Sequence, residues 1–275
     1  MGGIGMIAII VIFVCIYLYM IKPNSGRRGQ MKAFEEVYIA HRGLFDNHTD
    51  APENSLAAFQ KAVDAGYGIE LDVQLTKDRQ MVVFHDAGME RMCAVNKKLT
   101  DCSYKELQQY TLADSEERIP LLKEVLKLVD GKVPLIIEVK PEGDCISTSR
   151  MLSAMMKGYK GLYCMESFHP GAVHWFRRHD PDVIRGQLST NYRKDHIQGS
   201  TVRNALLSNL MFNFYGKPDF IAYNHKHAGD FSYRLCRRIY NFEAVAWTIR
   251  SRKDLESRKD RFDVFIFDSF IPDEQ

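Results

Sequence analysis

Glu70 and Asp72 stand one residue apart in Gly68-Ile-Glu-Leu-Asp-Val-Gln-Leu-Thr76, and Met81-Val-Val-Phe-His85-Asp86 follows after a short turn. A strand sends residues i and i+2 to one face, so both carboxylates project together while Ile69, Leu71 and Val73 take the other side. With the turn centred on Asp78-Arg79, the two segments pair as an antiparallel hairpin whose partner positions sum to a constant, which sets His85 opposite Asp72. The imidazole then shares a face with both acids. A solvated polar face would account for a single acid. Two acids and a histidine converging within apolar strands favour a chelating, proton-transferring site.

Two further strand-like runs carry reactive groups. Val37-Tyr-Ile-Ala-His41-Arg42-Gly43 ends in an imidazole, a guanidinium and a glycine, and a strand end is where α/β folds place their chemistry. Pro134-Leu-Ile-Ile-Glu138-Val-Lys140 puts an acid and a lysine on one face. Alone, His41 reads as structural and Glu138 with Lys140 as a neutralising ion pair. Together the three runs read as a metal-assisted phosphate site. Glu70, Asp72 and Glu138 offer hard oxygen ligands suited to Mg²⁺ or Ca²⁺ rather than zinc, because no cysteine joins them. Arg42 and Lys140 would hold anionic oxygens, and His41 and His85 would be the acid and base.

The elements that must position these groups alternate between strand-like and helix-like stretches. Apolar runs at 37–40, 69–73, 135–139, 163–167, 184–188, 220–223, 244–248 and 264–267 give eight parallel strands, the number a TIM-type (β/α)8 barrel needs. The run at 81–85 is excluded, because a few residues cannot cross between parallel neighbours. The stretch from Asp86 to Leu135 is too long for a simple crossover. It predicts a small insertion after the second strand, with a short helix near 104–110 partly covering the barrel mouth. Asn54 or Ser55 can cap a helix that Gly66 ends.

Residues 1–21 hold no charged side chain and are long enough to cross a bilayer as a helix. No basic n-region or small-residue cleavage site marks a signal peptide. Tyr17 and Tyr19 fall at the interfacial end, and Lys22, Arg27, Arg28 and Lys32 follow, which predicts a single pass through the cell membrane with the catalytic part in the cytoplasm. The expected organisation is a transmembrane helix at 1–21, a juxtamembrane linker at 22–36 and a barrel domain at 37–275. The basic cluster suits either a solvated linker or contact with anionic lipid.

Composition sets outer limits. The 275 residues carry a formal net charge of +2, with no basic stripe, so nucleic acid is excluded as a partner. Six scattered cysteines without a C-x-x-C pair predict reduced thiols rather than a disulfide scaffold. His225-Lys-His227 lacks a nearby acid and reads as a loop. Leu206–Tyr215 reads as a helix packed on the barrel, with an apolar lid or membrane-contacting element as the alternative.

His41-Arg42-Gly43, Pro52-Glu53-Asn54-Ser55 with Ala58-Phe59, the Glu70-Leu-Asp72-Val block with Thr76-x-Asp78 and His85-Asp86, Ile136-Ile-Glu138-Val-Lys140, and Ala246-Trp247-Thr248 together resemble the glycerophosphodiester phosphodiesterase family. The resemblance runs from about Tyr38 to Pro272. Arg79 departs from it, standing where the family usually has glycine, as does Phe267-Asp268-Ser269-Phe270, so no role is carried onto Asp268. Glu53 and Asn54 are sufficiently explained as capping residues. The resemblance implies hydrolysis of a glycerophosphodiester to an alcohol and glycerol 3-phosphate. The neighbouring glycerol hydroxyl would attack first to give a cyclic phosphate that water opens, and Trp247 would pack against the glycerol. The other readings are a lysophospholipase D acting on a membrane lysophospholipid and a catalytically silent membrane-anchored scaffold. The expected partners are the substrate and the bilayer, and no feature predicts a protein partner.

Overall fold

Short runs rich in Ile, Val and Leu, bounded by turns, form strands buried along nearly their whole length, because helices cover a parallel sheet on its outer face. The computed structural model describes residues 2–273. Its strands are β1 (Ile39–His41), β2 (Gly68–Leu75), β3 (Met81–Val83), β4 (Leu135–Val139), β5 (Tyr163–Ser167), β6 (Arg185–Ser189), β7 (Phe220–Asn224), β8 (Glu243–Ile249) and β9 (Val264–Phe267). They run in the order β1-β9-β8-β7-β6-β5-β4-β2-β3, and β1 also pairs with β2. That pairing closes eight parallel strands into the expected TIM barrel, with β3 as an antiparallel arm outside it.

Alternation along each strand separates two cores. Ile69, Leu71 and Val73 pack outward among the helices, while Ile39, Ile136, Leu188, Phe220, Val245 and Ile266 fill the barrel interior. The lower end of the interior is plugged by residues that composition suggested as linker. Residues 25–35 form a 3-10 turn (Ser25–Met31) and a helical turn (Lys32–Glu35), and Met31 and Phe34 are fully buried in the interior cluster. Arg27 lies 3.3 Å from Asp219, and Arg28 lies 3.0 Å from both Glu243 and Asp263. These acids stand at or just before the starts of β7, β8 and β9. Both arginines are therefore committed to the barrel rather than left to solvent.

The N-terminal helix α1 (Gly2–Ile21) is apolar on all sides, and its hydrophobic window is only 6% buried. Its last turn docks on the barrel wall. Ile21 is fully buried, its carbonyl accepts from Asn213 at 2.8 Å, and the Tyr17 hydroxyl donates to Ser232 at 2.7 Å. The 206–215 segment packs as a helix (Thr201–Ser208) and a helical turn (Asn213–Gly216), with Leu207 and Leu210 buried. The insertion after β3 builds its own small core around Phe84, Met89, Met92, Leu99 and Leu107. All six cysteines are free thiols.

Ser55 caps the helix Leu56–Asp64 by accepting from the Ala58 amide, which leaves the Asn54 side chain for another task. Gly43, directly after His41 and Arg42, sits at φ +85 with Ala58 so close that an added Cβ would lie 2.9 Å from its carbonyl carbon. Gly43→Ala should cost about 2 kcal/mol and lower the melting temperature by about 4–8 °C, measured by calorimetry. Unchanged melting would show that the His41–Gly43 turn relaxes freely.

Candidate active site

Parallel register builds the acidic centre. His41 pairs with Glu70, and Asp72, Glu138 and Glu166 stand in one row across β2, β4 and β5. Neighbours in register share a face, so all project into the barrel at its upper end. One oxygen each of Glu70, Asp72 and Glu138 lies within 4.8 Å of the others, and all three side chains are buried. Lys140 lies 3.4 Å from Asp72 and 3.1 Å from Glu138, and the Arg42 Nε lies 3.4 Å from Asp72. Four carboxylates thus share two cations.

The excess of negative charge appears in their acidities. Despite burial, Lys140, His85, Arg42 and a hydrogen bond from Asn54 hold Asp72 well below the usual carboxylate range. Burial and its acidic neighbours push Glu70 well up. Burial raises Glu138 to about 7 although Lys140 opposes it, and Glu166 also rises well above its ordinary value, by burial and the charge of Glu138. Lys140 approaches Glu138 Oε1 without hydrogen-bond geometry, so that oxygen and the Glu166 Oε2 are buried without a donor. A converging, under-neutralised set of hard oxygen donors fits a divalent cation.

Both histidines are steered by carboxylates. His41 Nδ1 pairs with Asp268 at 2.9 Å, and His85 Nδ1 with Asp86 at 2.6 Å, which leaves each Nε2 for the cavity. Burial lowers the His41 pKa while Asp268 opposes the shift. Asp268 is itself held well below its usual value, despite burial, by hydrogen bonds from His41 and Arg250. It follows β9 directly, at the same kind of strand end that drew attention to His41. Its departure from the family pattern hid it.

The hairpin register differs from the expectation. Val73 pairs with Val83 and Leu75 with Met81, so partners sum to one less than the sequence reading supposed. The cause is a three-residue loop, Lys77-Asp78-Arg79, closed between Thr76 and Gln80, with Arg79 in the left-handed region at φ 60. Phe84, not His85, therefore donates its amide to the Asp72 carbonyl. His85 still reaches the site because β3 ends at Val83 and the Gln74 amide binds the carbonyls of Phe84, His85 and Asp86.

A second layer was missed. Glu53 accepts from Arg42 and from Arg91, each at 2.7 Å, and although burial opposes it, Arg91 and Arg42 hold its carboxyl down to about 2. Arg91, from the insertion, also binds Asp86, so one guanidinium braces the partners of both Arg42 and His85. Asn54 reaches Asp72 at 2.9 Å. Arg42 and Asn54 both occupy the left-handed region, at φ 56 and 58, a conformation of order 1 kcal/mol unfavourable.

His41, Arg42, Glu70, His85, Glu138 and Trp247 line one cavity of about 150 Å³, with Glu166, Phe168, Leu188 and Arg250. Asp72 and Lys140 stand behind that lining, tied to it by their ion pairs. Trp247 packs edge-on against Phe168 at 5.5 Å and completes an apolar wall opposite the acids. His85 is the sole lining residue from the segment between β3 and β4, so the insertion braces the site from the side. His227 pairs with Asp195 at 2.7 Å, apart from this cavity.

A family model described as the glycerophosphoryl diester phosphodiesterase family matches residues 41–273. A glycerophosphodiester phosphodiesterase of Bacillus altitudinis is 41% identical over 199 residues, 62% of this chain and 80% of that protein. A lysophospholipase D of Rattus norvegicus is 32% identical over 160 residues, 54% of this chain and 49% of that protein, so the match spans about half its length. Among solved structures, a phosphodiesterase of Oleispira antarctica in complex with the product sn-glycerol-3-phosphate superposes with a TM-score of 0.68 at 23% identity, covering 85% of this chain and 92% of that one.

Cation uptake at the three acids must displace protons from Glu138, whose pKa burial raises to about 7, and from Glu70, whose pKa burial and neighbouring acids push well up. Affinity should therefore weaken as pH falls below about 7. Titration calorimetry in buffers of different protonation enthalpy should show proton release on binding. Affinity independent of pH, with no protons released, would show that other groups take the cation.

Proposed function

The chain belongs to the glycerophosphoryl diester phosphodiesterase family, and on that premise we propose that it hydrolyses glycerophosphodiesters to an alcohol and glycerol 3-phosphate. The observation that carries this reading is the pair of carboxylate-steered histidines on a small cavity that also holds Arg42 and the acidic cluster. A cavity of about 150 Å³ suits the phosphoglycerol part alone, since drug-sized ligands need roughly 300 Å³ or more. The leaving alcohol then extends outside, which fits a site that reads the shared half of the substrate.

In the proposed reaction Arg42, on the cavity wall, neutralises the non-bridging oxygens, and Lys140, behind that wall, adds positive charge at longer range. One imidazole Nε2 takes the proton of the attacking glycerol hydroxyl as the new P–O bond forms. The other gives a proton to the departing alkoxide as the ester P–O bond breaks, and water opens the cyclic phosphate with the two roles reversed. Asp268 and Asp86 hold the rings in register for these transfers. Trp247 and Phe168 offer an apolar wall to the glycerol carbons. A divalent cation, Mg²⁺ or Ca²⁺ by the all-oxygen donor set, would be held by Glu70, Asp72 and Glu138 and would supply positive charge to the phosphoryl oxygens.

Helix α1 is proposed as a membrane anchor through the apolar residues that precede its docked last turn, Tyr17–Ile21, with the connecting segment at 22–36 and the barrel at 37–275 on the cytoplasmic side. Low burial of the apolar window separates it from a core helix. The docking of Tyr17 and Ile21 on the folded domain favours retention over cleavage as a signal.

The test is glycerol 3-phosphate release from glycerophosphocholine by the full chain in mild detergent, with EDTA and then Mg²⁺ or Ca²⁺ restored. Release should depend on the cation. His85→Ala should lower turnover about 10²-fold or more with melting unchanged, and Asp268→Asn on the order of 10²-fold. Full turnover by either variant would remove the corresponding role. No release from any diester by the folded chain would favour the silent scaffold.

A further inference from the structure

The stagger of the barrel sorts its inward side chains into layers. Moving up about one residue per strand, as closure of eight strands requires, Glu70 on β2, Glu166 on β5, Ala222 on β7 and Ile266 on β9 form one ring. His41, Glu138, Leu188 and Trp247, from the four strands between, form the ring above it. All of these except Ala222 line the catalytic cavity. The lower ring is therefore the floor and the upper ring the walls. Beneath the floor Ile39, Ile136 and Val245 close the interior.

Of the two acids on the floor, one is committed and one is not. Glu70 accepts from the Arg42 amide at 3.2 Å and belongs to the three carboxylates close enough together to share a cation. Glu166 stands outside that set. It is 1% exposed and makes no hydrogen bond or ion pair among the described residues, and its Oε2 is buried without a donor. An acceptor buried in this way is costly to leave unpaired, so its donor must come from the cavity. The indole Nε1 of Trp247 is likewise buried without an acceptor. A phosphate held by Arg42 lies over β1, β2 and β4. From there the glycerol carbons run toward the apolar side made by Leu188, Phe168 and Trp247, above the small Ala222. Glu166 stands between the acidic and apolar sides, beneath the hydroxyl farthest from the phosphate.

We propose that Glu166 is a specificity residue for glycerol: its carboxyl takes a hydrogen bond from the terminal hydroxyl of the phosphoglycerol part, leaving the neighbouring hydroxyl free to attack. The proposal rests on the proposed reaction and deepens it by stating which diesters fit. A closed floor that carries one unpaired acceptor receives a free hydroxyl. It refuses an ester or ether at the same oxygen, which has no proton to donate and no room for its chain. Diesters of unsubstituted glycerol are therefore the substrates, and those that still carry an acyl chain on the terminal carbon are not.

Titration calorimetry on the full chain in mild detergent, with Mg²⁺ or Ca²⁺ present, compares glycerol 3-phosphate with propane-1,2-diol 1-phosphate of matching configuration, which lacks only the terminal hydroxyl. The second ligand should bind about 10²-fold or more weakly. Equal binding would overturn the proposal and leave the proposed reaction standing, whereas binding of neither ligand would overturn both. Glu166→Met should weaken glycerol 3-phosphate alone and bring the two ligands within about threefold of each other. Glu166→Gln, which keeps an acceptor oxygen, should retain most of the preference. A full preference in folded Glu166→Met would assign it to another group and overturn the proposal. The parent comparison needs no variant, so misfolding of Glu166→Met does not shield it. The same titration counts cations. Two bound by the parent and one by Glu166→Met would make Glu166 a ligand of a second ion and overturn the hydroxyl role. In turnover, a 1-acyl glycerophosphocholine in mixed micelles should be cleaved at least about 10²-fold more slowly than glycerophosphocholine, and equal rates would overturn the proposal.

Discussion

The register between β2, β4 and β5 places Asp72, Glu138 and Glu166 in one row, with Glu70 one step below Asp72. Like charges gathered in a buried space repel, and the rest of the upper barrel answers that repulsion. Lys140 is drawn between two of the acids, Arg42 is turned into the left-handed region to face Asp72, and Asn54 gives up capping to donate to the same carboxylate. Protons supply what these groups do not, which is why Glu70 and Glu166 are pushed so far up. A buried cluster with more carboxylates than cations is a receptor for positive charge.

The two ends of the barrel solve different problems. At the lower end Met31 and Phe34 close the interior, and Arg27 and Arg28 cover acids that precede three strands, an arrangement that serves stability. At the upper end the side chains are polar, closely coupled and conformationally unfavourable at Arg42 and Asn54. Eight outward-packed strands hold that arrangement, so the locally costly turns persist. The insertion contributes through Arg91, whose single guanidinium ties Glu53 to Asp86 and so links the support of β1 to the support of the hairpin.

Eight strands and their order of appearance were legible, because parallel strands buried on both sides read as unbroken apolar runs. The acids and both histidines were legible as well, since polar groups inside such runs are conspicuous. The hairpin register was not: an arginine in a left-handed turn position carries no local mark, and it shifts the pairing by one residue. His85 was assigned to the site through a register that the chain does not use. Asp268, Glu53 and Asn54 were passed over because each had an adequate local explanation or a departed motif, while their work is done across 11 to 227 residues of sequence. Glu166 was within reach, as an acid in the 163–167 run read as a strand. The fixed lower plug was not legible, since Ser25–Met31 has the composition of a linker and gains its structure from the barrel it closes.

Lys140 gives the acidic centre a resident counter-ion. Held 3.1 and 3.4 Å from two of the three carboxylates, its ammonium keeps them gathered when nothing else is bound. An incoming divalent ion therefore meets a receptacle already shaped, and little rearrangement is charged against its binding. It must also share the carboxylates with a competitor that cannot diffuse away, which weakens capture and quickens release. A centre with a resident ammonium suits an exchangeable ion better than one on which folding depends.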